Sequence, residues 1–435
     1  MLMLHISDIH FRSPECLDQL TDPHTSIRTR MMRDLAKQVE ILGDVGAILV
    51  GGDIAFKADP QEYDTARTWI AQLAQITGCP KERIFIVPGN HDVDRGIIKG
   101  NISIQNIQHA VASSSLTNRT TRLRQQLDDE DSGQNLLKPH GAYNEFAARF
   151  GCQIWPEKPF WHQDIPLDGG VTLRIYGLTS TLLSGKLGYD DGPKDLFLGS
   201  FQTVLNPAPN TANLVLVHHP LDWLDDGEAV DVALSNRAAF HLFGHKHKQR
   251  AVLAVDYVRL GAGAVNPSLD EQPYDPGYNL IKLEVVGAGA DRAIKVELHQ
   301  RRMQAEPELF VPIVTSQGDA IFRSSISVPV EAAIPGGVSA AVPAWAGAPV
   351  AAALGRDTVM QDAEAAMGEA DTRDLLYRFW NLSSSQRRVI VQGLGLLEAG
   401  EMKLPEPERY GRALIRAGAR NQIDQVAAAV AKVEK

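Results

Sequence analysis

Five short polar motifs, spread between residues 8 and 247, each follow an apolar run of strand length. Leu2–Ile6 leads to Asp8-Ile9-His10, and Ala47–Val50 leads to Gly51-Gly52-Asp53. Ile84–Val87 leads to Gly89-Asn90-His91-Asp92. Asn213–Val217 leads to His218-His219-Pro220, and Ala239–Phe243 leads to Gly244-His245-Lys246-His247. A chain that keeps its chemistry at strand ends needs a fold in which those ends meet. Layered α/β folds do this, because the carboxyl ends of their strands open on one crevice.

The segments between the motifs agree. Thr25–Leu42 and Gln61–Thr77 have helical spacing, the second with Tyr63, Ala66, Trp69, Ile70 and Leu73 on one face. The resulting β-α-β-α-β rhythm predicts an α/β layered fold. Residues 97–165 break the rhythm; they are polar, carry an acidic cluster at Asp128–Asp131, and read as a helical insertion over the site. Strands resume at Val171–Tyr176, Ala251–Val258 and Tyr278–Val286. The later ones lie close together, as in a mixed or antiparallel sheet.

Residues 331–356 are dense in Ala, Pro and Gly and read as a tether after a first domain spanning 1–330. Residues 357–435 then supply four helical patterns. Leu375, Leu376, Phe379 and Trp380 mark the first, and Ser383–Ser385 cap a second through Val389–Leu397. Tyr410, Ala413, Leu414 and Ala417 mark the third, and Ile423, Val426, Ala427 and Val430 the fourth. This is a small all-α domain of its own.

Composition narrows the function. Of 435 residues, 44% are hydrophobic, enough for a large core. The formal charge of −10 speaks against a non-specific nucleic-acid coater. Cys16, Cys79 and Cys152 are far apart, so neither a disulfide framework nor a thiolate zinc site is expected. No signal-like start and no apolar run of about 18 residues is present, which places the expectation in the cytoplasm and away from the membrane.

The motif residues are carboxylates, imidazoles and an amide, the donors that manganese, iron, zinc, cobalt or nickel accept. Asp8 and His10 lie two apart, and His245 and His247 repeat that spacing. Asp53 follows two glycines that let the backbone turn sharply. One carboxylate can bridge two ions about 3.5 Å apart.

In this order the motifs resemble the calcineurin-like metallophosphoesterase superfamily, over roughly the first 300 residues. The resemblance implies a layered β-sandwich flanked by helices and two divalent ions, with manganese favoured. It implies Asp8, His10, Asp53 and His247 on one ion, and Asp53, Asn90, His218 and His245 on the other. His219 is the second choice beside His218. His91 corresponds to the family's active-site histidine, which contacts phosphate or protonates the leaving oxygen, and Asp92 would orient it through a hydrogen bond. The implied chemistry is metal-activated hydroxide attacking phosphorus in line, with His91 assisting departure of the alcohol.

Other residues near the motifs have plainer explanations. Arg12 could touch a substrate phosphate, but a surface ion pair is at least as common. Asp94 and Arg95 suit a turn, and Lys246 points away from the ions. Trp155 and Trp161 flank the insertion, where packing is a commoner role than base stacking. Arg409, Arg412, Arg416 and Arg420 share one helical face, which is more often solvated than a binding track.

The segment from Leu375 to Val430 is similar to the small helical effector-associated domains of bacterial conflict systems, which resemble death-fold adaptors. The matching features are Leu382-Ser383 with Gln386-Arg387-Arg388, the Gly393–Leu397 segment and the Arg-rich third helix. That resemblance implies a protein partner for residues 357–435. The expected function is a phosphodiesterase on nucleotides or other small phosphodiesters. The alternatives are a nuclease on DNA or RNA, and an effector or adaptor of a defence system recruited through the tail.

Overall fold

The computed structural model describes residues 1–271, 273–329 and 369–434. The tether expected at 331–356 lies outside them, as does the stretch from 357 to 368. They fall into two units.

The first unit is built on two mixed sheets. One has the order β12-β11-β10-β1-β2-β3, with β13 also paired to β11. Its strands are β1 (Leu2–Ile6), β2 (Val45–Val50), β3 (Ile84–Ile86), β10 (Gly277–Val286), β11 (Ala293–Gln304), β12 (Leu309–Pro312) and β13 (Phe322–Ser327). The parallel trio β1, β2 and β3 is joined by α1 (Thr25–Leu42) and α2 (Pro60–Thr77). The other sheet runs β4-β5-β6-β7-β9-β8. It contains β4 (Trp161–Pro166), β5 (Thr172–Gly177), β6 (Thr211–Val217), β7 (Phe240–Phe243), β8 (Arg250–Leu253) and β9 (Val258–Gly261), with α8 (Gly227–Arg237) between β6 and β7. The sheets meet where Ser7, just past β1, bridges Ala264.

The central strands β1, β2, β6 and β7 are buried along nearly their whole length, as their apolar runs require. All five motifs follow parallel strands, four of them central and β3 at the edge of its sheet, so both sheets deliver polar residues to one region. The expected α/β layered fold is the one observed. Three details differ from expectation. Ala251–Val258 is a hairpin, β8 turning into β9, because Asp256 and its neighbours reverse the chain. β11, β12 and β13 extend the first sheet beyond the predicted strands. The insertion is helical from α3 (Arg95–Lys99) through α4 (Ile102–Ala112), α5 (Leu116–Asp128), α6 (Glu130–Leu137) and α7 (Gly141–Ala147), but its last residues form β4. β4 pairs antiparallel with β5 and buries Trp161 against Phe85. Trp155 and Trp161 are both buried, so they pack rather than stack on a base.

The second unit holds α9 (Glu369–Asn381), α10 (Ser384–Gly393), α11 (Glu406–Ala419) and α12 (Ile423–Val433). Ser383 caps α10 in a reciprocal pair with Gln386. Phe379, Trp380, Val391, Tyr410, Leu414 and Val426 anchor its core. The α11 arginines are not a free face. Arg412 pairs with Glu408 at 2.6 Å, Arg416 with Glu401 at 2.6 Å, and Arg409 donates to the Leu404 carbonyl at 2.7 Å. Arg420 donates to the Gly395 carbonyl at 2.9 Å. The loop between α10 and α11 lies along that face and uses the guanidiniums to satisfy its carbonyls. Among the described residues, no helix is long and apolar enough to cross a membrane. The three cysteines are buried and free.

Candidate metal centre

The motif loops turn sharply because several of their residues adopt left-handed backbone. Asp8, His10, Asp53, His245 and His247 all have φ between 48° and 70°. Non-glycine residues rarely sit there, and such strain gathers at functional sites. Gly52 has φ 98°, and a Cβ on it would meet the His218 ring at 2.7 Å. A Cβ on Gly89 would stand 2.1 Å from an Asp53 oxygen. Both glycines therefore let the loops close on the same point.

The side chains that converge there form overlapping groups. Asp8, His10 and His247 make one; Asp8, Asp53 and His218 another; His10, Asp53 and His91 a third; and His218, His219 and His245 a fourth. In each, the ligand atoms lie within 4.8 Å of one another. Asp53 Oδ2 stands 3.9 Å from His10 Nε2 and 3.2 Å from His218 Nε2, between the two halves. His247 Nε2 stands 3.3 Å from Asp8 Oδ1 and 3.4 Å from His10 Nε2.

Two buried atoms test whether a cation fits. Asp8 Oδ1 and His218 Nε2 have no hydrogen-bond partner. Each aims at the cluster while its other atom is occupied: Asp8 Oδ2 accepts from the His245 N–H, and His218 Nδ1 donates to the Gly51 carbonyl at 2.7 Å. A buried acceptor left open is costly unless something positive faces it. The electrostatics agree. Burial opposes charge on His218, yet Asp53 pushes it up to about 9. Burial likewise opposes charge on His247, yet Asp8 and then Glu271 push it up to about 10. Desolvation outweighs the carboxylates for His10, pushed down to about 3, and for His245, down to about 4. With protein groups alone, two imidazolium charges balance Asp8 and Asp53. A divalent ion would take that part and release the protons.

His219 is engaged at both nitrogens, with Ser180 Oγ at 2.8 Å and Asn90 Oδ1 at 3.0 Å. It fits a residue that aims Asn90 better than it fits a ligand, whereas His218 presents a free nitrogen. His91 anchors its backbone N–H on Asp53 Oδ1 and its Nδ1 on the Phe56 carbonyl at 2.7 Å. A carbonyl only accepts, so Nδ1 carries the hydrogen.

The expected hydrogen bond from Asp92 to His91 is not there. Asp92 points the other way and accepts the N–H groups of Ile54, Ala55 and Gly89 and the Tyr63 hydroxyl. The 3-10 turn Asn90–Asp92 sends successive side chains in different directions, so adjacency in sequence did not become contact. Asp92 ties the Asp53 loop to the Asn90 loop. Asp94 caps α3, Arg95 pairs with Asp190, and Lys246 pairs with Asp222 away from the cluster.

Three neighbours escaped the sequence reading. Glu271 accepts from His247 Nδ1 at 2.7 Å, orienting that imidazole. Phe56 stacks on His91 with centroids 4.9 Å apart. Trp223, half-buried, sets its ring 3.9 Å from His245. Each relation is through space, between loops that no local pattern links.

A two-sheet fold with clusters of His and Asp able to hold metal at its strand ends is that of a metal-dependent phosphoesterase. The chain belongs to the calcineurin-like phosphoesterase family, whose model matches residues 1–249. That family binds divalent metal ions. Residues 371–432 match a second model, the GTPase-associated adaptor domain, in keeping with a helical adaptor-like tail.

Among curated proteins it is similar to the uncharacterised metallophosphoesterase-like protein YydB of Bacillus subtilis (strain 168), 22% identical over 254 residues. That match covers 56% of this chain and 48% of the relative, so the chain spans about half the relative's length. Among solved structures it is similar to Vps29 of Chaetomium thermophilum, at 10% identity and TM-score 0.28, covering 76% of this chain and all of that one. It is also similar to GAP50 of Plasmodium, at 10% identity and TM-score 0.36, covering 76% of this chain and 90% of that one. These structural likenesses are distant.

Proposed function

We propose that this chain is a dinuclear phosphodiesterase acting on nucleotides or related small phosphodiesters. One ion is assigned to Asp8, His10, Asp53 and His247, the other to Asp53, Asn90, His218 and His245, with manganese the favoured metal. The observation that carries the reading is the placement of Asp53 Oδ2 between His10 and His218, beside the open atoms of Asp8 and His218. Two divalent ions bound there would supply a water acidic enough to ionise near neutral pH and would neutralise phosphoryl oxygens.

The chain's own residues do the rest. Asp53 holds the backbone of His91 while Phe56 fixes its ring tautomer. His91 therefore presents Nε2 to the substrate. Protonated there, it can give a proton to the departing alcohol oxygen. Asp92 serves the reaction only by keeping the two loops in register. Supporting a small substrate over a polynucleotide, the α11 arginines are spent on internal acceptors and offer no strand path. The tail is read as the module that brings this enzyme to a protein partner, in the manner of effector-associated domains, a role favoured by the adaptor-domain match.

The test is a hydrolysis panel on the purified chain with added Mn²⁺ and Asp53→Asn as control. It contains cyclic and linear nucleotides, a generic diester and monoester, and single- and double-stranded DNA and RNA. Hydrolysis of the small diesters by the parent chain alone is expected. Cleavage confined to polynucleotides would overturn the substrate assignment, and equal activity of Asp53→Asn would overturn the metal assignment.

A further inference from the structure

The rim of the site beside His91 carries an exposed cation held in place by the fold. The loops after β1 and β2 continue side by side past the strand ends. Phe11 bridges Ala55, the Phe11 N–H donates to the Ile54 carbonyl at 3.0 Å, and the Phe56 N–H donates to the Phe11 carbonyl at 3.0 Å. This zipper sets Arg12 next to Phe56. The Arg12 guanidinium carbon lies 3.6 Å from the centre of the Phe56 ring, and the same ring stacks on His91. Arg12 is thus two ring contacts from the candidate leaving-group histidine.

A buried carboxylate makes the arrangement rigid. Glu62 is fully buried and accepts the backbone N–H groups of Ser13, Phe56, Lys57 and Asp59 at 3.0 to 3.2 Å. One side chain therefore clamps both loops. Lys57, exposed, reaches across to the Ser13 carbonyl at 3.3 Å and adds a second cation to the rim. Two carboxylates near Arg12 are engaged elsewhere: Asp59 caps α2 and Glu62 serves the clamp. Among the described residues, the Arg12 guanidinium makes no hydrogen bond or ion pair, while the Arg12 carbonyl accepts the Cys16 N–H at 2.8 Å. A solvated surface arginine is normally free to move. This one is stacked and pre-aligned, with its N–H fork unspent.

We propose that Arg12 grips a second, non-scissile phosphate of the substrate, so that the preferred diester carries a phosphate beyond the one cleaved. This rests on the phosphoesterase reading and deepens it. A planar guanidinium matches two phosphate oxygens at once, and stacking on Phe56 lowers the ordering cost of forming that pair. The grip would sit on the rim beside His91.

The test uses the full chain loaded with Mn²⁺ and two ligands that differ by one phosphate, a nucleoside 5′-monophosphate and the corresponding 3′,5′-bisphosphate. Binding is measured by calorimetry for the parent, Arg12→Ala and Arg12→Lys. The parent is expected to prefer the bisphosphate by about tenfold or more, Arg12→Ala to lose that preference, and Arg12→Lys to keep part of it. Equal affinity of the parent for both ligands would overturn the proposal, and so would an equal loss for both in Arg12→Ala. Hydrolysis of the p-nitrophenyl 5′-esters, with and without the 3′-phosphate, is followed in parallel. A binding preference without hydrolysis would leave the grip standing and sink the phosphodiesterase reading instead.

Discussion

His218 Nε2 faces Asp53 Oδ2 across 3.2 Å, while its Nδ1 is committed to the Gly51 carbonyl. The free nitrogen and the central carboxylate can satisfy each other only through a shared proton or a shared cation. Asp53 also faces His10, so its loss should empty both halves of the site. Asp53→Asn is expected to purify with little metal. His91→Asn is expected to keep its metal and to turn over about a hundredfold or more slowly, the usual weight of a proton donor. Elemental analysis of both variants, set beside their rates, checks the distinction. Full metal content in Asp53→Asn would remove Asp53 from the centre.

Glu271 touches the candidate centre through His247. Its carboxylate accepts from Nδ1 at 2.7 Å, which fixes the ring and leaves Nε2 toward Asp8. Partners of this kind typically change metal affinity about ten- to a hundredfold. Glu271→Gln should therefore need more Mn²⁺ for half-maximal activity, with the rate largely restored at saturating metal. A rate that stays low at any metal concentration would point to a different role.

The parts of this protein that were legible from sequence are those where residue type and local pattern coincide. Asp8, Asp53 and His245 stand two or three residues past apolar runs that form buried parallel strands. The helices of the tail were legible because Tyr410, Ala413, Leu414 and Ala417 keep one face apolar. β4 was hidden by its alternation: His162 and Asp164 sit between the buried Trp161, Gln163 and Ile165 and make the run look polar. β11 was hidden similarly, with Lys295, Glu297 and His299 between Ile294, Val296 and Leu298. The engagement of Arg416 and Arg420 depends on a loop that only tertiary structure lays beside α11.

Acid should weaken the fold through histidines outside the centre. His140 is buried with Nε2 against the Thr181 hydroxyl, and burial pushes it down to about 4. In the unfolded chain it titrates near its ordinary value of about 6.5. As pH falls below that value the unfolded state takes the proton first, so stability declines between about 6.5 and 4. By pH 5 this one residue should cost roughly 2 kcal/mol. Urea midpoints at pH 7 and pH 5 should differ accordingly, and His140→Gln should flatten part of the slope. An unchanged slope in that variant would assign the acid sensitivity elsewhere.

Asp92 gives the sharpest separation between a structural and a catalytic role. Its carboxylate accepts three backbone N–H groups, from Ile54, Ala55 and Gly89, and the Tyr63 hydroxyl at 2.8 Å. Removing it strands buried donors, and each such group costs about 1 to 3 kcal/mol. Asp92→Ala should therefore melt well below the parent, and Asp92→Asn, which keeps one accepting oxygen, should fall between them. The loops it ties carry Asp53 and Asn90, so metal content should fall in step with melting temperature. His91 keeps its own anchor on Phe56, so the pH dependence of any remaining turnover should match the parent. A parent-like melting temperature in Asp92→Asn, with a displaced pH profile, would instead mean that Asp92 acts through His91.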